Sequence, residues 1–269
     1  MTTILLHIEG DEGQASRLAA ACDLARACGG HLVCLSVMPY AAYALGDPAM
    51  GAFPVTTLID AVEARRREER VAVEARLARE AVSWEWQAAD GDSADRLVEF
   101  ARLADVVVMS AGPFGRAAGL RLGITGDVAV RSPAPVLAVP EAMTRLDIAG
   151  PALLCWDGGQ EAARTLRQAV PLLRLASAVT LLTVSEKDSP FPARAAAAYL
   201  ARHGLSVDVL ERDGGGASVE QVIRSVAVER GATWIVQGAY GHSRVRELLF
   251  GGVTRGLLAD APLPILLGH

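Results

Sequence analysis

Short runs rich in valine, isoleucine and leucine alternate along this chain with longer segments whose apolar residues recur at helical spacing. Ile4–Ile8, Leu32–Val37, Ser83–Ala88, Asp105–Met109 and Val136–Val139 read as buried strands. Between them, Gly13–Cys28, Val55–Ala81 and Ser93–Leu103 read as helices, with a shorter helix between Gly119 and Arg131. The order then repeats, with strands at Ala152–Trp156, Val179–Val184, Ser206–Leu210, Thr233–Gln237 and Ile265–Leu267. Apolar strands that do not alternate with polar residues are buried on both faces. That pattern, interleaved with helices, predicts an α/β fold with parallel sheets.

The two halves align residue by residue. Leu5-Leu6-His7-Ile8-Glu9-Gly10 matches Leu153-Leu154-Cys155-Trp156-Asp157-Gly158, and Ala104-Asp105-Val106-Val107-Val108 matches Ala232-Thr233-Trp234-Ile235-Val236. Near the ends, Ser132-Pro133-Ala134-Pro135-Val136-Leu137 matches Ala261-Pro262-Leu263-Pro264-Ile265-Leu266. A tandem duplication accounts for all three matches. The expected domains are 1–140 and 151–269, joined around Glu141–Gly150. The first is lengthened by Met38–Pro54, whose prolines and glycines oppose regular structure and predict a loop, either a flap or a lid. The last strands, Val136–Val139 and Ile265–Leu267, are short and apolar and would lie at sheet edges. Exposed edges invite pairing, so the halves are expected to join through them as a pseudo-dimer; a further homodimer stays open.

Composition narrows the partners. The 269 residues are 51% hydrophobic and 21% charged, as in a globular protein with real cores. A net charge of -5 offers no general attraction to nucleic acid or to an anionic membrane. No segment has the apolar length of a membrane span, and no basic stretch precedes the first apolar run as in a secretory signal. Cys22, Cys28, Cys34 and Cys155 lack metal-ligand spacing and read as reduced packing residues of a cytoplasmic protein. His7, within an apolar strand, is expected to be packed or locally bonded. His203 and His269 are expected in solvent. Arg65-Arg66-Arg67-Glu68-Glu69-Arg70 mixes both charges at helical spacing and reads as an exposed face with i,i+4 pairs.

One segment carries chemistry. Gln237-Gly238-Ala239-Tyr240-Gly241-His242-Ser243-Arg244 follows a strand, and Phe250-Gly251-Gly252-Val253-Thr254-Arg255 leads into a helix. Glycines let backbone amides approach an anion closely, and the helix start beyond them offers unpaired N–H groups. His242, Arg244, Arg246 and Arg255 add cationic side chains. Ligands in such sheets bind beyond the carboxyl ends of the strands, where the strand order reverses. Tight turns alone could also explain the glycines.

Gly238-x-x-Gly241, nine residues, then Gly251 resembles the Gly-x-x-Gly-x9-Gly-Ser/Thr signature of the universal stress protein family. Trp156-Asp157-Gly158 after the first strand of the second half and the Pro-x-Pro before each final strand extend the likeness along the whole chain. The resemblance implies two tandem Rossmann-like domains, each a five-stranded parallel sheet of order 3-2-1-4-5 flanked by helices. It also implies an adenine nucleotide, ATP, with Mg2+ as its companion ion. Asp157 and Val184 would lie near the adenosine, and Gly238, Gly241, His242, Gly251, Gly252, Val253 and Thr254 around the phosphates. Gly252 departs from the family pattern, which has serine or threonine there. A missing hydroxyl contact costs about 0.5–1.5 kcal/mol.

The first half departs further. Pro113 replaces the glycine aligned with Gly241, Leu122-Gly123-Ile124-Thr125 replaces Gly251-Gly252-Val253-Thr254, and Glu9 replaces the aspartate. Its nucleotide loop is expected to be degenerate. A Walker-type Gly-x-x-x-x-Gly-Lys-Ser/Thr loop, a Gly-x-Gly-x-x-Gly fingerprint and a Gly-x-Ser-x-Gly elbow are all absent from the sequence. The leading function is thus a stress-response protein that binds ATP in its second half and turns it over slowly if at all. The alternatives are an interaction module that acts through a protein partner without nucleotide, and an enzyme of the wider adenine-nucleotide hydrolase class.

Overall fold

The apolar runs form strands and the amphipathic segments form helices. The first half contains β1 (Thr3–Ile8), α1 (Gln14–Cys28), β2 (His31–Met38), α2 (Val55–Leu77), β3 (Ser83–Asp90), α3 (Ser93–Phe100), β4 (Val106–Ser110), α4 (Ile124–Arg131) and β5 (Val136–Val139). The second contains β6 (Ala152–Cys155), α5 (Gln160–Leu173), β7 (Val179–Ser185), α6 (Ala193–Arg202), β8 (Asp208–Asp213), α7 (Val219–Glu229), β9 (Trp234–Gly238), α8 (Gly252–Ala259) and β10 (Ile265–Gly268). The computed structural model describes residues 2–38, 55–112, 123–185, 191–239 and 252–269. The Met38–Pro54 segment therefore lies, beyond Met38, outside the described residues.

All ten strands join one sheet of order β3-β2-β1-β4-β5-β10-β9-β6-β7-β8. Each half reads 3-2-1-4-5 with parallel pairs throughout. The seam is antiparallel, with Ile265 opposite Ala138, Leu266 opposite Leu137 and Leu267 opposite Val136. The duplicated last strands thus cover each other's edges, and the chain is its own pseudo-dimer, as the sequence predicts. An antiparallel seam between parallel halves also reverses their direction. The carboxyl ends of the first half's strands and those of the second half's strands consequently open at opposite edges of the sheet.

Strand alternation divides the core. Ile4, Leu6 and Ile8 of β1, with Leu154 and Trp234, face the layer of α1, α2, α5 and α6. Leu5, Val107, Ile235 and Ile265 face α3, α4, α7 and α8. Local signals set the helix ends: Gly29 closes α1 at φ 60 with its amide on the Ala25 carbonyl, and Ser218 with Gln221 forms a capping box on α7. α2 ends before the expected Ala81, because the amides of Arg79 and Glu80 turn back to Arg76 and Leu77.

The outer strands differ from the sequence reading. β8 was expected at Ser206–Leu210 but runs to Asp213 through Glu211 and Arg212. An edge strand pairs on one side only, so polar residues can extend it and at the same time discourage further pairing. The arginine-rich run of α2 also behaves unexpectedly. Arg70 pairs with Glu74 at i,i+4, but Arg65 donates to the Gly10 carbonyl and Arg66 to Ser36 at the end of β2. Part of this face therefore fastens α2 over the first half's strand ends. All four cysteines are free thiols. Among the described residues no helix is long and apolar enough to cross a membrane, and no group of acidic, histidine or cysteine residues is placed to hold a metal.

Candidate functional site

In the second half the strand order reverses between β6 and β9. The described candidates gather around that switch point. Asp157 stands just past β6, Val184 near the end of β7, Gly238 at the end of β9, and α8 begins at Gly252. Asp157 accepts the Gly159 amide at 2.8 Å, closing a turn in which Gly158 takes φ 80. Val184 packs against the α7–α8 side of the core. Gly241, His242 and Gly251 lie outside the described residues.

The described candidates of the glycine segment have distinct places. A Cβ on Gly238 would sit 2.6 Å from the Ala162 nitrogen and 2.9 Å from the Glu161 carbonyl carbon. Glycine is needed there because the first turn of α5 lies against the strand end. Gly252 differs: among the described residues no heavy atom approaches its Cβ position within 4 Å, and its backbone is outside the left-handed region. Thr254 turns inward. It is 3% exposed, and its hydroxyl accepts the Gln237 side-chain amide at 3.2 Å. That hydroxyl ties α8 to β9. The half-buried Val253 packs against the α7–α8 side of the core beside it.

In the first half a buried arginine stands at the strand ends. Arg17 of α1 is 1% exposed. Its Nε donates to the His7 carbonyl at 3.1 Å and its Nη2 to the Glu9 carbonyl at 2.8 Å. Its Nη1 donates to Asp11 at 2.8 Å and to the Ser110 hydroxyl at 2.5 Å. Room for this clamp comes from a glycine on the helix side, since a Cβ on Gly13 would meet Ser110 Oγ at 2.2 Å. Ser110 aligns with Gly238, so the two halves place their essential glycine on opposite partners of the same close approach. Thr165, which aligns with Arg17, is small and bonds to the carbonyls of Glu161 and Gly268.

Beside Arg17 lies a cleft of about 170 Å³, walled by His7, Ser110, the start of α4, Glu141 and Leu258 of the second half. Sequence reasoning did not single out Arg17 or Ser110. The available signal was a cation on the helix stripe that continues through Ala20, Ala21 and Leu24, all buried. His7 is packed as expected, 3% exposed, with its Nε2 3.8 Å from the Glu9 carboxylate. His269 departs from the expectation of a solvated role, since its Nδ1 lies 2.9 Å from the Ala239 carbonyl.

Burial, reinforced by the Arg17 charge, lowers His7 to about 4 against a partial opposing effect of Asp11. The unfolded chain, with an ordinary histidine near 6.5, therefore binds more protons than the folded chain between these values. Stability should rise with pH across that window and fall on acidification, by up to about 1.4 kcal/mol per pH unit. Glu9 and Glu69 oppose this, because burial raises their carboxyls and the folded state then holds the proton more tightly. Both are more exposed than His7, so the histidine should dominate. Urea unfolding at several pH values checks this, and His7→Gln should flatten the acid slope.

The model of one protein family, described as the universal stress protein family, matches residues 1–140 and again 150–268. The chain belongs to the universal stress protein family. Its tandem arrangement has full-length counterparts of known structure. A universal stress protein from Archaeoglobus fulgidus superposes with a TM-score of 0.77 at 18% identity, covering 99% of this chain and 97% of that one. A putative universal stress protein from Pseudomonas aeruginosa gives 0.53 at 17% identity, with 100% and 93% coverage. A search of curated proteins gives no significant match. Universal stress proteins are known for nucleotide binding.

Proposed function

We propose that this universal stress protein binds an adenine nucleotide, ATP, at the switch point of its second half and acts as a stress-response regulator. The observation that carries this reading is the convergence of Asp157, Val184 and Gly238 at adjacent strand ends with the start of α8 at Gly252. The first-turn amides of that helix, including those of Gly252 and Val253, suit phosphate oxygens, and its first turn carries no acidic residue. Asp157 and Val184 would contact the adenosine, with Gly241, His242 and Gly251 completing the phosphate loop and Mg2+ accompanying the nucleotide. Domain 151–269 then carries the ligand and domain 1–140 does not, since there the buried Arg17 clamp and Ser110 stand at the strand ends and leave only a small cleft. A cytoplasmic setting suits the free thiols and a ligand of this kind. A catalytic base is not part of the reading, and turnover should be slow.

The rival reading, a nucleotide-free module acting on protein partners, draws on the same helix. Thr254 is buried and accepts from Gln237, which sets it apart from the hydroxyl that the family carries at position 252. Mass spectrometry of nucleotide released by denaturing the purified protein separates the two. Adenine nucleotide at up to one per chain supports the first; its absence, with no binding on adding ATP, supports the second.

Gly252→Ser follows from the geometry at that residue. Among the described residues serine meets nothing there, and it needs no unusual backbone and reduces the freedom of the unfolded chain. One added hydrogen bond of about 0.5–1.5 kcal/mol should lower the Kd for ATP a few-fold to tenfold. Titration of both proteins with ATP, alongside their melting curves, checks this. Weaker binding at an unchanged melting temperature would defeat the phosphate-loop assignment.

A further inference from the structure

Two helices of the second half carry exposed arginines that no carboxylate balances among the described residues. On α5, Arg164, Arg167, Pro171 and Arg174 recur at helical spacing and form one exposed stripe. On α6 the exposed residues are Arg194, Ala198, Ala201 and Arg202. Each stripe has cations toward its ends and a small neutral stretch between them. The half-buried Glu161, in the first turn of α5, is the one carboxylate on the two helices. Arg164 and Arg174 donate to the carbonyls of His269 and His203, and Arg202 lies over the Tyr199 ring. Neither Arg167 nor Arg194 makes a bond among the described residues. The arginines on the α7–α8 side of the same half are neutralised instead. Arg212 pairs with Glu229, Arg224 with Glu220 and Arg230 with Asp208. The bond from Arg174 to His203 links the far ends of α5 and α6, so the two stripes belong to one surface. At its near end stands Phe191, 54% exposed, whose carbonyl accepts the Trp156 indole at 3.0 Å.

On a chain of net charge -5 such a group of cations is a local feature, and its counter-charge must come from a partner. A nucleic-acid duplex, an anionic bilayer and an acidic protein segment could each supply it. The first two are extended surfaces. The layer that holds α5 and α6 continues across the seam to α1 and α2, where Glu12, Asp60 and Glu68 are exposed. An extended anionic surface laid on this layer would meet those carboxylates. A short segment would not: the α5 stripe from Arg164 to Arg174 is about 15 Å long. Guanidinium forks match carboxylates in pairs, and arginines beside an exposed aromatic ring are the residue types that carry binding energy at protein interfaces. We propose that the outer face of α5 and α6 docks a short acidic segment of a partner protein. Its carboxylates meet the arginines, and its apolar residues meet Phe191 and the neutral middle formed by Pro171, Ala198 and Ala201. This docking does not depend on nucleotide in the second half.

The probe is a fluorescent peptide of glutamates with leucine at every fourth position, titrated with the full chain and followed by anisotropy. Controls are the same peptide with glutamine for glutamate, a short DNA duplex, and vesicles of phosphatidylcholine with phosphatidylglycerol. The expected result is saturable binding of one acidic peptide per chain, weakened by salt, with the glutamine peptide weaker by about tenfold or more. Arg167→Glu combined with Arg194→Glu removes no bond, so this variant should melt like the wild type and bind the acidic peptide at least about tenfold more weakly. Arg167→Gln and Arg194→Gln alone should fall between. Arg102→Glu, at an exposed arginine of the first half, should bind like the wild type. The proposal is overturned if the acidic peptide does not bind, if the glutamine peptide binds as well, or if the double variant melts and binds like the wild type. Tighter binding of the duplex or of the vesicles than of the peptide also overturns it, and makes nucleic acid or membrane the partner of this face.

Discussion

Arg17→Met is expected to lower the free energy of unfolding by about 3–5 kcal/mol, because it breaks a buried ionic hydrogen-bond cluster while keeping the stem of the side chain. Methionine can pack where the arginine methylenes pack. It cannot serve the carbonyls of His7 and Glu9, the Ser110 hydroxyl or the Asp11 carboxylate, all of which Arg17 now holds. Asp11 is 41% exposed in its side chain and can turn to water, so the lasting penalty falls on the carbonyls and Ser110. For a chain of this length the melting temperature should drop by roughly 10 °C. Arg17→Lys should fall between, since one ammonium cannot span the fork that a guanidinium fills. A methionine variant that melts within about a degree of the wild type would show that the cluster is dispensable. Because the clamp belongs to the first half, ATP binding per folded chain should not change.

Arg17 also marks where the sequence stopped being legible. The sheet order, the duplication and the seam between Val136–Val139 and Ile265–Leu267 follow from the apolar runs and from edge pairing, which are local signals with one topological solution. That Asp157, Val184 and Gly238 stand at strand ends and Gly252 at a helix start follows from the same runs, while their candidacy came from the family resemblance. The contents of the first half's cleft could not be read in the same way. An arginine on an apolar helix stripe ordinarily snorkels to solvent. Its burial depends on Asp11, Ser110 and two backbone carbonyls that only the folded chain assembles. The inward turn of Thr254 is similar: position 254 looks like a substitute hydroxyl beside Gly252, but Gln237 on the neighbouring strand already engages it. The bonds from α2 to Gly10 and Ser36 likewise cross between segments far apart in sequence.

Gly238→Val should be among the most disruptive single changes near the site, while the same substitution at Gly252 should be mild. At Gly238 the added Cβ lands 2.6 Å from the Ala162 nitrogen and 3.0 Å from its Cα, so the obstacle is backbone that cannot rotate away. The first turn of α5 must shift, and it carries the turn that positions Asp157 through the Gly159 amide. Even Gly238→Ala should cost about 2–3 kcal/mol by overpacking, and valine more. ATP affinity should fall together with stability, because α5 and Asp157 move as one piece. The first half shows how such a side chain can be accommodated. Ser110 occupies the aligned position because α1 begins at Gln14, which aligns with Ala162, whereas α5 begins earlier, at Gln160. Gly13 then leaves the gap that the serine and Arg17 fill. Serine at position 238 has no such gap, so Gly238→Ser should behave like alanine and should not create a copy of the first half's clamp. Denaturant unfolding and ATP titration of the 238 and 252 variants measure the contrast. If the Gly238 substitutions melt as the Gly252 ones do, the contact between β9 and α5 is not the constraint that keeps glycine at this strand end.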